Sequence, residues 1–401
     1  MISTHFPPQH LGGDAKFVEY LATELVRHGH EVHIFHNPAV YGFFRKSDQI
    51  DDPDAREYLI SRHPYESRFG RIDPPLALTL GYSKGARIRL TELSNKIKPD
   101  VVHWHNTRAF IGAPTIISNE ISLYTSHDYS SICPRSNLLK PDLSVCNEAH
   151  LCTFCTARWG KPPQIWRISN RRVVRYPKST RILSPSEFVA RRLREEGLPA
   201  HTVLRNFVPD SGKNTPRNTT DLDSLVYLGM LEKHKGVMTL LKAFIRSSGK
   251  HGLRLHVIGE GSLRGQLAEL VTKHAMNERI IVHGFLNREN VEQIRRKAVA
   301  QVLPSEWYEN SPLTALEGLS LGVPILGADI GGIPEIVGPD SGGVRFRSGS
   351  IDELSDLLVW TWNNREALRN MGNRARKAYE TRFTPQVHLA QYIKIINETA
   401  S

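Results

Sequence analysis

The stretch PSEWYENSPLTALEGLSLGVPILGADIGGIPEIV, residues 304–337, continues an apolar run that starts at Ala300. It holds a helix-spaced segment from about 312 to 321 and then a second apolar run over 323–327. Strand, helix and strand in that order is the pattern of a parallel sheet covered by helices. Upstream the alternation repeats, with strands expected over 225–228, 253–258 and 280–284. Helices are expected between them over 236–246, 262–274 and about 288–297. The chain therefore reads as α/β.

The N-terminal half has the same texture. Phe17, Val18, Tyr20, Leu21, Leu25 and Val26 recur at helical spacing until Gly29 stops the run, and a buried strand follows over 32–35. Asp-Pro at 52 and 53, His-Pro at 63 and 64 and Pro-Pro at 74 and 75 mark 36–75 as long surface loops. A helix over 83–97 leads into a strand over 101–105, and further strands are expected over 122–126 and 181–184, the last followed by a helix that Ser186 caps. Between 199 and 224 the composition turns to Pro, Asn, Thr, Asp, Ser and Gly without periodicity, which marks a domain boundary. The reading is a domain over 1–200 with a cysteine-containing insertion at about 129–160, a second over 201–380, and a helix over 381–401 that packs back on the first.

At about 150 residues per domain, 401 residues predict two or three domains. Apolar residues make up 40% and charged residues 23%, which excludes wholesale disorder. Lys and Arg number 52 against 41 Asp and Glu, a formal charge of +11 that fits an anionic partner such as a nucleotide, a nucleic acid or an acidic membrane. No window has the apolar length of a membrane span, and the N-terminus carries neither a basic n-region nor an apolar h-region, so the expected location is cytoplasmic.

The chemistry concentrates in the opening stretch. Glu309 and Glu317 are eight apart, and with Pro312 in the first turn of a helix, Glu317 lies inside that helix while Glu309 sits in the loop before it. The amides near Asn310, Ser311, Leu313 and Thr314 would then form an anion site at the positive end of the helix dipole, suited to a diphosphate. Two carboxylates beside such a site can grip vicinal hydroxyls. Spacing alone is weak, because two glutamates eight apart are common by chance.

The surroundings add to it. Glu309, Glu317, Gly322-Val323-Pro324 and Gly331-Gly332-Ile333-Pro334-Glu335 resemble, in order, the signature of the retaining glycosyltransferases of family 4. Leu228-Gly229-Met230-Leu231 through Lys235-Gly236 is similar to the family element whose basic residues hold the donor diphosphate, although Met230 stands where an arginine is usual. Val257-Ile258-Gly259-Glu260-Gly261 resembles its turn beside the nucleoside, Gly12-Gly13 its glycine loop, and His127-Asp128-Tyr129 its active-site histidine. A further departure is the first strand, which only Met1, Ile2 and Ser3 are left to form.

The resemblance implies the GT-B fold, two Rossmann-like α/β domains facing each other across a cleft. It implies a retaining transfer of a hexosyl or N-acetylhexosaminyl group from a UDP- or GDP-sugar to a glycan, lipid-linked or other glycoconjugate acceptor, with no catalytic metal. Lys235 and the helix start at Pro312, Leu313 and Thr314 would stabilise the departing phosphate. Glu309 would orient the sugar, Glu317 the ribose diol, and His127 would contact the donor sugar or the reacting centre. His105 is a weaker candidate. The rival readings are a GT-B nucleotide-sugar epimerase and a non-catalytic nucleotide- or nucleic-acid-binding protein; no nucleic-acid module is recognisable.

Cys133, Cys146, Cys152 and Cys155 fall within 23 residues, at intervals that suit a structural zinc site, a pair of disulfides or plain thiols. From 158 to 205 there are twelve Lys or Arg and three Asp or Glu, a net of +9, with Trp159, Ile165, Trp166, Val173 and Tyr176 interleaved. Such a segment suits either an anionic surface at the inner face of a membrane or a solvated face whose aromatics pack inward.

Overall fold

The computed structural model describes residues 1–8, 12–44, 60–115, 121–146, 152–160, 162–167, 173–174, 176–212 and 222–400. Two compact units result, one of Met1–Asn206 with His388–Ser401 and one of Phe207–Val387.

The first unit runs α1 (Gly13–Arg27), β1 (His33–His36), α2 (Pro38–Phe44), β2 (Ser61–Pro64), α3 (Asp73–Leu80), α4 (Lys84–Ile97), β3 (Val101–Trp104), β4 (Ile121–Thr125), α5 (Cys152–Arg158), β5 (Thr180–Ser184), α6 (Glu187–Glu195) and β6 (Thr202–Val203). Strands β3, β4, β5 and β6 pair in parallel, and β1 pairs in parallel with β2. Ile2 joins the two sets by bridging to Phe35 of β1 and Trp104 of β3, its amide donating to His103 O at 2.9 Å. The short first strand is thus a single bridging residue.

The span 36–75 departs from the expected loops, since it contains α2, β2 and the start of α3, while 45–59 lies outside the described residues. β2 is polar and mostly exposed, and its parallel pairing with β1, which no local pattern announces, makes it a strand. Pro74 and Pro75 occupy the first turn of α3, where a missing N–H costs nothing, instead of a loop. Ser83 and Ser186 cap α4 and α6 through their hydroxyls, which accept from Ala86 N and Val189 N, each at 3.3 Å.

The second unit runs β7 (Ser224–Leu228), α7 (Val237–Ser247), β8 (Arg254–Ile258), α8 (Arg264–Lys273), β9 (Ile280–Gly284), α9 (Arg288–Lys297), β10 (Ala298–Leu303), α10 (Leu313–Ser320), β11 (Ile325–Ala328), α11 (Ile333–Ile336), β12 (Gly343–Phe346), α12 (Ile351–Asn363) and α13 (Arg365–Arg382). α14 (Pro385–Ala400) carries the chain back to the first unit. The sheet order is β12-β11-β10-β7-β8-β9, all parallel, so the direction of winding reverses between β7 and β10. Both faces are covered, which is why β10 is buried along its whole length and reads as a continuous apolar run. In such sheets the carboxyl ends at the reversal form the crevice for ligands. Among the described residues no helix is long and apolar enough to cross a membrane.

Candidate active site

The loops after β7 and β10 meet at that reversal. Gly236 has φ of +70°, and a Cβ there would lie 1.7 Å from Pro304 O, so only glycine lets the two loops touch. The contact brings Lys235 to Glu309, with Nζ 2.7 Å from Oε1. The same oxygen accepts from Ser305 Oγ at 2.8 Å and from Trp307 Nε1 at 2.8 Å. Among the described residues Glu309 Oε2 takes no hydrogen bond. Burial alone would raise the Glu309 carboxyl, but the Lys235 ammonium and the three donors outweigh it and hold the group below its ordinary value. It is therefore an ionised carboxylate fixed through one oxygen.

The backbone of Glu309 is held as well. Gly332 N donates to Glu309 O at 2.7 Å, and Gly331, at φ +63°, lies so close that a Cβ would fall 2.6 Å from Glu309 N. The Lys235 ammonium also lies 4.6 Å from the centroid of the Trp307 ring. Pro312 is the residue before α10, not its first turn, and no side chain caps that end. Ala315 N turns back to Pro312 O, which leaves the Leu313 and Thr314 amides without an intrahelical acceptor. Asn310, Ser311, Pro312, Leu313 and Thr314 are all half-buried.

Beside them, Gly259 (φ +141°) packs its Cα against Gly229 O, which a Cβ would approach to 1.9 Å. Glu260 accepts from Phe285 N at 3.2 Å and from Arg264 Nη1 at 2.5 Å, stitching the ends of β8 and β9. Glu317 lies one turn into α10 with Oε2 3.1 Å from Nη2 of Arg295, a buried side chain of α9. Met230, where a cation was expected, is exposed.

In the first unit the corresponding strand ends gather histidines. His105 Nδ1 is 2.9 Å from His127 Nε2, and His103 reaches Tyr392 OH at 2.9 Å and Thr125 Oγ1 at 2.7 Å. Phe17 lies against both His127 and His388. Burial lowers His127 to about 4, against the pull of Asp14, and lowers His388 to about 4 and His103 and His105 well below 6.5. All four rings are neutral at pH 7. His105 Nε2 is buried with no hydrogen-bond partner among the described residues. A buried N–H without an acceptor is rarer than a bare lone pair, so the His105 proton belongs on Nδ1 and is donated to His127 Nε2. His127 then carries its own proton on Nδ1.

Asn106 Nδ2 bridges Asp14 Oδ2 and Asp128 Oδ2, both at 3.2 Å. Gly12, the residue before α1, is exposed and extended at φ −178°, a conformation that any residue adopts, and Gly13 opens the helix.

Residues 11–211 match the profile of Glycosyltransferase Family 4, and residues 213–378 that of Glycosyl transferases group 1. The chain belongs to glycosyltransferase family 4. A curated relative, glycogen synthase of Mycobacterium tuberculosis, is 25% identical to this glycosyltransferase over 414 residues, covering 97% of this chain and 94% of that protein. Sucrose-phosphate synthase from Thermosynechococcus elongatus superposes with a TM-score of 0.70 at 18% identity, over 100% of this chain and 98% of that one. Anabaena HepE in complex with UDP and glucose does so with 0.68 at 14% identity, over 99% of each. The glycosyltransferase has the GT-B fold that these structures share.

Of the residues singled out in its sequence, the glycosyltransferase brings Lys235 and Glu309 into contact and sets Gly259 and Glu260 on the adjoining strand end. Ser305, Trp307 and Arg295 escaped the sequence reading. The indole of Trp307, two residues before Glu309 in an otherwise polar loop, was the available signal; nothing local marks Arg295. The four thiols of the glycosyltransferase form no disulfide. Among the described residues no group of three or more His, Cys, Asp or Glu is placed to hold a metal ion. The Arg135 side chain hydrogen-bonds Cys155 instead.

Part of the basic segment packs inward. Trp166 donates from Nε1 to Leu78 O at 3.1 Å and covers Gly81, and Arg167 is buried. Trp159 stays partly exposed under the Arg135 guanidinium, while 168–172 and 175 lie outside the described residues.

Proposed function

We propose that this glycosyltransferase is a retaining enzyme that moves a hexosyl or N-acetylhexosaminyl group from a UDP- or GDP-sugar to a hydroxyl of a glycan or lipid-linked acceptor, without a catalytic metal. One observation carries the reading. Glu309 is anchored by three donors on Oε1, which leaves Oε2 to accept from sugar hydroxyls, and the cation on that anchor, Lys235, has two further N–H groups for a diphosphate.

In this reading the bond from sugar to phosphate breaks toward an oxocarbenium-like centre, and Lys235 with the Leu313 and Thr314 amides takes up charge on the departing phosphate. Glu309 orients the sugar and Glu317 the ribose diol. His127, with its proton on Nδ1, donates to the sugar or the leaving group. The acceptor hydroxyl enters on the face that the phosphate leaves and passes its proton to that phosphate. HepE, whose fold this chain shares, binds UDP and glucose, which favours a UDP-hexose. A panel of sugar nucleotides tested by thermal shift and by donor turnover checks the proposal. One UDP- or GDP-sugar is expected to stabilise the protein and to be consumed with acceptor present. No response to any sugar nucleotide would overturn the proposal, and conversion of donor without acceptor would favour an epimerase.

A further inference from the structure

The helix α3, reached through Phe69 and Ile72, carries apolar side chains on most of its circumference. α3 reads Asp-Pro-Pro-Leu-Ala-Leu-Thr-Leu; Pro74, Ala77 and Leu78 are buried, and Leu78 O holds the Trp166 indole. A helix that is hydrophobic all round is normally enclosed. Here the outer side is open, with Phe69 68%, Ile72 67%, Leu76 44% and Leu80 43% exposed. Leu76 and Leu80 are one turn apart on α3 and share a face, and Phe69 and Ile72 flank the 3-10 turn Gly70–Ile72 that leads into it. Ile165, packed beside α3 on the short turn that carries Trp166, is exposed too.

The rim of this stripe is cationic. Arg68, Arg71 and Lys84 are exposed and have no carboxylate partner among the described residues. Asp73 is buried and accepts from Ser83 Oγ at 3.1 Å, which leaves Glu66 as the exposed acid of 66–88. A second copy of the chain would bring like-charged rims together. An anionic lipid surface would receive the apolar stripe in its acyl boundary and the cations among its headgroups.

We propose that the face formed by Phe69, Ile72, Leu76 and Leu80, with Arg68, Arg71 and Lys84, docks this protein on an anionic bilayer. The inference is independent of the donor chemistry, and it assigns to α3 the membrane contact that the sequence suggested for the later basic segment.

Flotation of the full chain with phosphatidylglycerol-containing vesicles and with pure phosphatidylcholine vesicles tests it. The wild type should float with the anionic vesicles alone. Ile72→Ser with Leu76→Ser, and separately Arg68→Gln with Arg71→Gln, should each lower partitioning on the order of tenfold. The unfolding temperature should not change, because the altered side chains point outward. Should the serine variant lose stability, Leu76→Trp supplies a second reading, with emission shifted to the blue and quenched by brominated lipid. A wild type that stays unbound at low salt, or an indole indifferent to vesicles, overturns the proposal. So does a wild-type dimer that the serine pair dissociates without any flotation, which would give the face to a second copy.

Discussion

Glu309 and Glu317 are both carboxylates of one motif, yet their surroundings differ. Glu309 is locked to Lys235, Ser305 and Trp307, whereas Glu317 is partly exposed and shares one oxygen with Arg295. Glu317→Ala should therefore weaken binding of the free nucleotide, by the roughly 1.5 to 3 kcal/mol that a hydrogen bond to a charged group is worth. Glu309→Gln should leave that affinity nearly intact and lower turnover, which isothermal titration and steady-state rates separate. Lys235→Ala leaves a buried carboxylate without its counter-ion, and a stability loss of about 3 to 5 kcal/mol is expected in denaturant unfolding. At the other centre, His105→Phe removes the donor to His127 Nε2. Nitrogen-15 shifts of His127 should then show its proton redistributed between the two ring nitrogens, with turnover lowered more than donor affinity. Both glutamates were legible because their spacing sits in a long ordered motif. Trp307 and Arg295 were not, since their roles arise only when separate loops and helices approach.

Among the elements, the loop after β7 depends on one backbone conformation. Gly236→Ala would have to hold φ near +70° and clear Pro304 O, a strain of about 1 to 3 kcal/mol before the clash is relieved. The expected outcome is a lower unfolding temperature together with weaker nucleotide binding, because Lys235 moves with the loop. Gly249→Ala, with no atom near the added Cβ, serves as the control and should keep both values. Five of the six strands of the second unit were readable to within a few residues, since buried parallel strands are continuous apolar runs between turn residues, whereas β12, with Arg345 exposed in its middle, was not. β2 was not, because Ser61, Arg62, His63 and Pro64 carry no apolar signal and are held by β1, and α3 was hidden behind prolines that usually break helices.

At the scale of the whole molecule, the buried histidines set the pH response. Their folded-state values lie below 6.5, at about 4 for His127 and His388, so the unfolded chain binds more protons between these limits. The stabilisation is complete above pH 6.5 and drains away as pH falls toward 4; one such group is worth on the order of 3 kcal/mol. Thermal unfolding should begin at clearly lower temperature at pH 5 than at pH 7.5, and replacing His388 with Gln should flatten that dependence. The GT-B class and its two α/β units followed from alternation and ordered motifs, and a helix over 381–401 packing back on the first domain was expected too; the pairings that make the return, Tyr392 with His103 and His388 with Phe17, are long-range contacts that no window of sequence contains. That return has a consequence for biosynthesis. His388 lies on Phe17 and donates from Nδ1 to Arg205 O at 2.7 Å, and Tyr392 bonds His103, so the first unit is closed by residues translated after the entire second unit. On the ribosome the histidine centre stays open until those residues emerge, and a nascent chain with its second unit already folded still lacks the finished first one.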